Sequence, residues 1–179
     1  MSGNSKDQNS WKIILPHCES LEVPANTILL HQGKIAKTMY FIEKGCLRTW
    51  INNDGKEITT QFFFEGHSIS SIESFRTRQP SLYNIETIEP CNLKTISQQD
   101  FKKLIDSFPS LKQDFEEHLF QRLFQTQQLA FSYIKNNPQK RYEELVRQFP
   151  HIIQRVPQHY IASYLGITPV SLSRIRNRR

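Results

Sequence analysis

The chain has 179 residues, which is enough for one medium-sized domain or for two small domains that share a core. Hydrophobic residues make up 37% of the sequence and charged residues 22%, so the chain can bury a core and is not a disordered polyelectrolyte. It contains no apolar run of about 20 residues, the length that spans a bilayer. The three cysteines are odd in number and widely spaced, which argues against a disulfide framework and fits a reducing cytosol. With the missing apolar run, this predicts a cytoplasmic protein that makes no membrane contact.

The net charge of +6 is concentrated at the C-terminal end of the chain. Residues 138–179 carry eight basic and two acidic side chains, whereas basic and acidic residues balance both in 1–110 and in 111–137. A basic segment releases counterions when it meets a polyanion, so nucleic acid is the first partner to consider. Acidic lipid is the alternative, but the basic residues follow a turn and do not form one face of a long amphipathic helix.

Residues 22–97 have the composition of short strands separated by glycine turns. Glycines recur every 10 to 12 residues from Gly33 to Gly66, between segments rich in β-branched and aromatic residues. The predicted strands are 27–30, 38–42, 46–51, 57–64, 83–88 and 92–96. The sequence Asn53-Asp54-Gly55 is the strongest hairpin signal, because these residues adopt positive φ at low cost. The pattern predicts an antiparallel sandwich, barrel or jelly roll, with no helix between the strands.

The hydrophobic period changes after residue 97. Residues 98–108 have the pattern of a short helix that ends before Pro109, and a longer helix follows from Ser110 to the sequence Asn136-Asn137-Pro138. Apolar residues recur along it at three- and four-residue steps with one seven-residue gap, and three phenylalanines widen the stripe: Leu111, Phe115, Leu119, Leu123, Ala130 and Ile134, with Phe120, Phe124 and Phe131. A helix that is apolar on more than one side packs on its own domain and on a partner, so a dimer seam is favoured over a purely intramolecular helix.

Residues 158–177 match a helix-turn-helix motif at the positions that its geometry constrains. Ala162 is small where two helices cross closely, and Gly166 suits the left-handed conformation of the turn. Thr168 is a good N-cap, and Pro169 suits the first position of a second helix. Apolar residues at helical spacing supply a shared core: Ile161, Leu165, Ile167, Leu172 and Ile175. The alternative is a small helical hairpin with a solvated basic face.

The second helix of this motif is predicted to present a polar, basic face to double-stranded DNA. The N-terminal part of such a helix contacts base edges in the major groove, where an arginine fork matches guanine, and Arg174 is the predicted base contact. The full set of predicted DNA-binding residues is Thr168, Pro169, Ser171, Ser173, Arg174, Asn177 and Arg178. Residues predicted to lie near phosphates are Arg155, His159, Arg176 and Arg179.

With these motifs the chain resembles the bacterial Crp–Fnr regulators over about residues 20–179. Residues 39–48 are similar to the family's second hairpin, 54–57 (Asp-Gly-Lys-Glu) and 64–66 (Phe-Glu-Gly) to its next two turns, and 161–176 to its DNA-binding motif. The resemblance implies an α+β chain with a cyclic-nucleotide-binding-type β jelly roll over 1–110, a dimerisation helix over 111–137 and a helix-turn-helix domain over 138–179, without the β-wing that usually follows. It further implies a homodimer that binds two-fold symmetric DNA sites and contacts RNA polymerase to regulate transcription.

The resemblance also points to an effector pocket, and here the chain departs from the family. Family members that bind cyclic nucleotides place a Gly-Glu-Leu triplet after the turn glycine and an Arg-Ser or Arg-Thr pair later. Counted from Gly66, these positions fall on residues 70–72 (Ser-Ser-Ile) and on or beside Pro80-Ser81. The alternative is a shifted loop that uses Glu73, Arg76 and Arg78, which are close in sequence. The carboxylate for the ribose and the guanidinium for the phosphate are both missing, so a small effector other than cAMP, or none, is expected. The candidate pocket residues are Gly66, Ser70, Ser71 and Ser81.

Catalytic and cofactor-bearing functions find little support in the sequence. An iron–sulfur sensor of the family needs four cysteines, and no histidine is marked as a haem ligand. A metal-dependent jelly-roll enzyme needs a His-x-His pair with further ligands, whereas His31 and His67 stand alone. No catalytic residue, metal site or enzyme activity is therefore predicted. The competing hypothesis is a ligand-sensing or interaction module of the same fold that has lost DNA binding.

Overall fold

The β-strands form two four-stranded sheets that face each other as a jelly roll. The structure, a computed structural model, describes residues 12–177, of which 12–14 are helical and lead into a 3-10 turn, Leu15–His17. The strands are β1 (Glu19–Val23), β2 (Ile28–Leu30), β3 (Thr38–Lys44), β4 (Leu47–Asn53), β5 (Lys56–Phe63), β6 (Ser68–Ile69), β7 (Asn84–Thr87) and β8 (Cys91–Ser97). They pair antiparallel in the orders β1-β8-β3-β6 and β2-β7-β4-β5. The predicted antiparallel roll and the α+β class are confirmed.

Apolar side chains from both sheets fill the space between them. Ile42 of β3, Leu47 of β4 and Ile85 of β7 are fully buried in one cluster. Because successive side chains of a strand point to opposite faces, each strand contributes its inward positions to this cluster. The hairpin between β4 and β5 turns at Asp54 and Gly55, whose φ angles are 52° and 82°. The hairpin predicted from this sequence is therefore confirmed.

The roll contains a helix that was not expected. The six predicted strands are found within one or two residues of their predicted ends, and β1 and the two-residue β6 are additional. A short helix, α1 (Ile72–Thr77), lies between β6 and β7, so the expectation of no helix there is wrong. Its six residues are too few to show a periodic pattern, and its position depends on distant contacts. The Phe75 ring packs on Phe101 at a centroid distance of 5.8 Å, and Ser74 Oγ accepts a hydrogen bond of 2.9 Å from the Ala36 amide.

Six further helices follow the roll, and most of them begin at a proline or a capping side chain. They are α2 (Gln98–Ser107), α3 (Pro109–Lys135), α4 (Pro138–Gln148), α5 (Pro150–Arg155), α6 (Gln158–Tyr164) and α7 (Pro169–Asn177). Ser97 Oγ accepts from the Asp100 amide and Asn137 Oδ1 accepts from the Lys140 amide, which satisfies free N–H groups at the starts of α2 and α4. Among residues 12–177, no helix is long and apolar enough to cross a membrane.

Helix α3 has one face on the roll and one face in solvent. Near its start Leu111 is buried, and the Phe115 ring contacts Phe101 at a centroid distance of 5.1 Å. Farther along, several large apolar side chains are more than half exposed: Phe120, Leu123, Phe124, Phe131 and Ile134. The stripe seen in the sequence therefore divides into an inner face and an outer face, and the outer face has no cover within the described chain.

The C-terminal helices pack on the sheet that ends in β5. The Tyr164 ring of α6 contacts Phe62 of β5 at a centroid distance of 5.3 Å. Ser163 Oγ accepts a hydrogen bond of 2.9 Å from the Thr59 amide and donates one of 2.8 Å to the Glu57 carbonyl. Because β5 is an edge strand, α6 satisfies backbone groups that would otherwise face solvent.

Candidate nucleic-acid interface

The turn between α6 and α7 has the geometry of a glycine-ended helix. Gly166 has a φ of +68°, and its amide donates to the Ser163 carbonyl at 3.0 Å. The Ile167 amide donates to the Ala162 carbonyl at 3.0 Å. These two bonds are those of a Schellman motif, which ends a helix and turns the chain sharply. Ala162 is fully buried, as expected for the position where the two helices approach closely.

The second helix begins at the predicted cap. Thr168 Oγ1 accepts a hydrogen bond of 3.1 Å from the Ser171 amide and lies 3.0 Å from Ser171 Oγ. Pro169 occupies the first helical position, where its missing N–H costs nothing. Leu172 is buried and Ile175 half-buried, so these two side chains fix the inner face of α7.

The opposite face of α7 carries the side chains predicted to contact DNA. Those that are exposed are Thr168, Pro169, Ser173, Arg174 and Asn177. Ser171 is half-buried, and Arg178 and Arg179 lie outside the described residues. Within residues 12–177, Arg174 makes no hydrogen bond or ion pair, so its guanidinium is available to a ligand. The structure thus leaves these five residues of α7 and its cap open to solvent.

Arg141 of α4 fixes the turn of the motif from behind. Its guanidinium donates to the Leu165 carbonyl and to the Asn136 carbonyl, each at 2.8 Å. It also lies 4.7 Å from the centre of the Tyr133 ring. One side chain thereby joins the end of α3 to the turn before α7. Sequence reasoning counted Arg141 only as part of the basic excess, and no local signal marks it as structural.

Arg155 does not lie where the sequence hypothesis placed it. Both of its terminal nitrogens donate to Glu65 at 2.8 Å, and one also donates to Glu89. The guanidinium therefore faces the roll and has two carboxylates in place of a phosphate. Arg155 lowers the pKa of the Glu65 carboxyl to about 2, chiefly through these hydrogen bonds. His159 is exposed, as expected, with its ring 3.9 Å from that of Tyr160.

A second arginine, Arg48, is buried beneath α6. Its side chain is 1% exposed and donates to Glu86 at 2.7 and 2.9 Å, to Thr59 at 3.2 Å and to Glu57. The Tyr160 ring of α6 lies 3.8 Å from the guanidinium carbon. A buried guanidinium is stable only when its donors are paired, and here the hydrogen-bond partners come from two strands, β5 and β7. Sequence reasoning missed this cluster, because its members are far apart in the chain.

The candidate pocket residues of the roll are mostly engaged within the fold. Ser70, Ser71 and Ser81 are buried, and Gly66 is exposed at the turn before β6 with a φ of +81°. Ser70 Oγ donates to the Thr38 carbonyl at 2.8 Å, and Ser81 Oγ donates to a backbone carbonyl two residues on at 2.7 Å. Ser71 is the N-cap of α1 without a side-chain cap bond. The serines therefore support the loop, and Gly66 lies at its other end.

Arg122 of α3 is a cation beside this loop that sequence reasoning missed. Its nitrogens lie 3.4 Å from the Ser68 carbonyl and 3.5 Å from Gln61 Oε1, and its guanidinium carbon is 4.8 Å from the Phe63 ring centre. Burial lowers its pKa, and no described carboxylate pairs with it. The only signal in the sequence is a charged residue on the face of α3 that also carries Leu111.

Metal and thiol chemistry have no assembled site in the described chain. Over residues 12–177, no group of three or more His, Cys, Asp or Glu side chains is arranged to hold a metal ion. The cysteines are free, with Cys46 and Cys91 buried and Cys18 half-buried. Burial raises the pKa of the Cys91 thiol to about 11, so this thiol is protonated at neutral pH.

The sequence has relatives among proteins of known function. The profile of the cyclic nucleotide-binding domain matches residues 20–108. The cAMP-activated global transcriptional regulator CRP of Salmonella typhimurium is 28% identical over 122 residues, which are 68% of this chain and 58% of that protein. The CRP of Pasteurella multocida is 28% identical over 113 residues, 63% of this chain and 54% of that protein. The chain thus spans little more than half the length of these curated relatives.

Solved structures share the fold over nearly the whole chain. The c-di-GMP-responsive global regulator CLP of Xanthomonas campestris has a TM-score of 0.75 at 18% identity and covers 96% of this chain and 90% of its own. FixK2 of Bradyrhizobium japonicum has a TM-score of 0.75 at 13% identity, with 90% and 83% covered. At these identities the likeness shows the fold alone. Taken together, the profile, the CRP relatives and the shared fold support a Crp–Fnr family regulator, and residues 20–108 match the cyclic nucleotide-binding domain.

Proposed function

We propose that the chain is a homodimeric, DNA-binding transcription regulator of the Crp–Fnr type that acts in the cytoplasm and has no enzyme activity. The observation that carries this proposal is the exposed, arginine-bearing face of α7, held outward by a complete helix-turn-helix core. A recognition helix needs an accessible face of donors for base edges and a rigid inner face, and α7 has both. Contact with RNA polymerase at a promoter is part of the proposal, by analogy with the family.

The dimer is supported by the outer face of α3. Phe120, Phe124, Phe131 and Ile134 follow steps of four, seven and three residues, a heptad spacing in which Gln127 occupies the intervening position. These apolar side chains are between 52% and 83% exposed. They lie along one face of the helix, whereas the exposed apolar residues of a monomer are usually scattered singly. A second copy related by two-fold symmetry would bury the same face of both helices. It would also present two α7 helices to half-sites about 34 Å apart.

The proposed effector of the roll is a small molecule other than cAMP. The positions that would hold the ribose and the phosphate are serines, and the hydroxyls of Ser70 and Ser81 already donate to backbone carbonyls. A cyclic phosphate bound at this loop would therefore lack the bidentate guanidinium of the family's nucleotide binders. Arg122 lies 3.4 Å from the Ser68 carbonyl beside this loop, and it belongs to the helix that would form the dimer.

Duplex selection from a random pool tests the function. We expect an enriched two-fold symmetric site, with affinity that falls steeply as salt rises because each phosphate contact releases counterions. Arg174→Ala should cost about 1–3 kcal/mol on the selected site and relax the preference for one base. Arg147→Ala removes the same charge from an exposed position on α4 and is the matched control, which should leave the base preference unchanged.

Two outcomes would contradict parts of this proposal. If Arg174→Ala weakens all sequences equally, Arg174 contacts phosphate and not a base. If no duplex is enriched and binding does not respond to salt, the chain is instead a sensing or interaction module without DNA binding. The oligomeric state is measured separately by light scattering.

A further inference from the structure

We infer that Val170 determines part of the operator sequence by contacting the 5-methyl group of a thymine. This inference rests on the proposed function, because it concerns how α7 recognises the major groove. Val170 is the second residue of α7 and is 61% exposed. It is a large apolar side chain on a surface that, apart from Pro169, is polar or basic and is formed by Thr168, Ser173, Arg174 and Asn177.

The helix geometry places Val170 on the same face as Arg174. At 100° per residue, residues four apart differ by about 40° around the axis, so Val170 and Arg174 point in nearly the same direction. Leu172, which is buried, lies about 160° away from Val170 on the wheel. Val170 therefore belongs to the face directed away from the core, at the N-terminal end of the helix that enters the groove first.

The spacing along the helix limits where the thymine lies. Residues four apart are separated by about 6 Å along the axis, which is close to the rise of two base pairs in B-DNA. If Arg174 contacts a guanine, Val170 lies over a base pair within about two steps of it. The two side chains thus define neighbouring positions of one half-site.

The chemistry of the groove selects the contact. Valine has no donor or acceptor, so it cannot pair with the nitrogen and oxygen atoms of the base edges, and desolvating them against it is unfavourable. Thymine alone offers an apolar group on the major-groove edge. Valine is also stiff at χ1, so little rotamer freedom is lost when its methyl groups meet the base. Val170 therefore favours thymine over the other three bases at this position.

Replacing thymine by deoxyuracil removes the methyl group and tests the inference. Selection with the full chain first gives the half-site, and comparison with Arg174→Ala identifies the guanine that depends on Arg174. Deoxyuracil is then placed at each thymine within two base pairs of that guanine.

We expect one such replacement to weaken wild-type binding about fourfold, which corresponds to the loss of one buried methyl group. The same replacement should leave Val170→Ala unchanged. Because Val170 is exposed, this variant should unfold at the wild-type temperature.

Controls separate this inference from the proposed function. Deoxyuracil at a thymine outside the half-site should have no effect, and Val170→Ser, which removes both methyl groups and introduces a hydroxyl, should lose discrimination between thymine and uracil. Equal affinity for thymine and uracil throughout the half-site would overturn the inference, as would a half-site without thymine near the Arg174-dependent guanine. Failure to enrich any duplex would instead overturn the proposed function itself.

Discussion

The basic residues of the C-terminal quarter serve two different purposes. Arg141 and Arg155 make charge-assisted hydrogen bonds inside the protein, to backbone carbonyls in one case and to carboxylates in the other. Arg147, Arg174 and Arg176 are exposed. Only arginines of the exposed kind can replace counterions on DNA, so the charge summed along the chain overstates the number of phosphate contacts. The salt dependence of binding should accordingly be shallower than eight basic residues per chain would give.

Gly166→Ala is expected to lower the free energy of unfolding by about 1–2 kcal/mol, because a residue with a Cβ is strained at positive φ. The added Cβ would lie 3.5 Å from Tyr133 Cε1, an ordinary contact, so backbone strain and not a clash sets the size of the effect. Urea unfolding followed by circular dichroism measures it. Gly166→Asn should lower the free energy of unfolding by less, since asparagine tolerates the left-handed region. Equal losses for the two variants would contradict this explanation.

Among the elements, helix α3 has two apolar faces, of which only one is covered within the described chain. Its first turns are fixed by the roll through Leu111 and Phe115, whereas its second half exposes phenylalanines at heptad spacing. Packing on one domain alone cannot stabilise both faces of such a helix. We therefore expect the exposed face of α3 to become buried only when a second copy of the chain packs against it.

Phe124→Arg is expected to convert the dimer to a monomer. In a two-fold dimer the substitution places two like charges near each other in an apolar seam, where neither is solvated. Sedimentation or light scattering measures the mass. Gln125→Arg adds the same charge to an exposed position about 100° around the same helix and should leave the dimer intact. A dimer that survives Phe124→Arg but not Gln125→Arg would show that the seam lies on another face.

Elements with a local cause were predictable from the sequence, and those with a distant cause were not. The β4–β5 turn follows from Asp54 and Gly55 alone, and the end of α6 follows from Gly166. By contrast, β1 is defined by its pairing with β8, about 70 residues later in the chain. The positions of Arg48 and Arg122 depend likewise on partners from several strands. The face of α7 was predictable because a helix core and its opposite surface follow from one short segment.

At the scale of the whole molecule, the roll and the C-terminal helices share one hydrophobic core. Phe62 and Phe64 of the roll lie in the same buried cluster as Leu145, Ile161 and Leu172 of the helical part. The edge of β5, the Arg48–Tyr160 stack and the Arg155 ion pairs add polar contacts across the same boundary. We therefore expect the two parts to unfold together, so that tryptophan fluorescence and helical circular dichroism report coincident transitions.

The ion pair between Glu65 and Arg155 should make this joint stability sensitive to acid. In the folded protein the pKa of the Glu65 carboxyl is about 2, below the ordinary value near 4.3, so this carboxyl takes up a proton on unfolding at intermediate pH. The stabilisation is fully present above about pH 4.5 and is lost as the pH falls towards 2. Because the Glu65 side chain is 39% exposed, solvent screening limits the effect to the order of 1 kcal/mol.

Urea unfolding of wild type and Glu65→Gln between pH 7 and pH 2 measures this contribution to stability. The control is Glu22→Gln, which changes an exposed residue of β1. The variant should be less stable at pH 7 and should approach wild type as the pH falls. Parallel pH profiles for the two proteins would mean that this ion pair does not hold the helices on the roll.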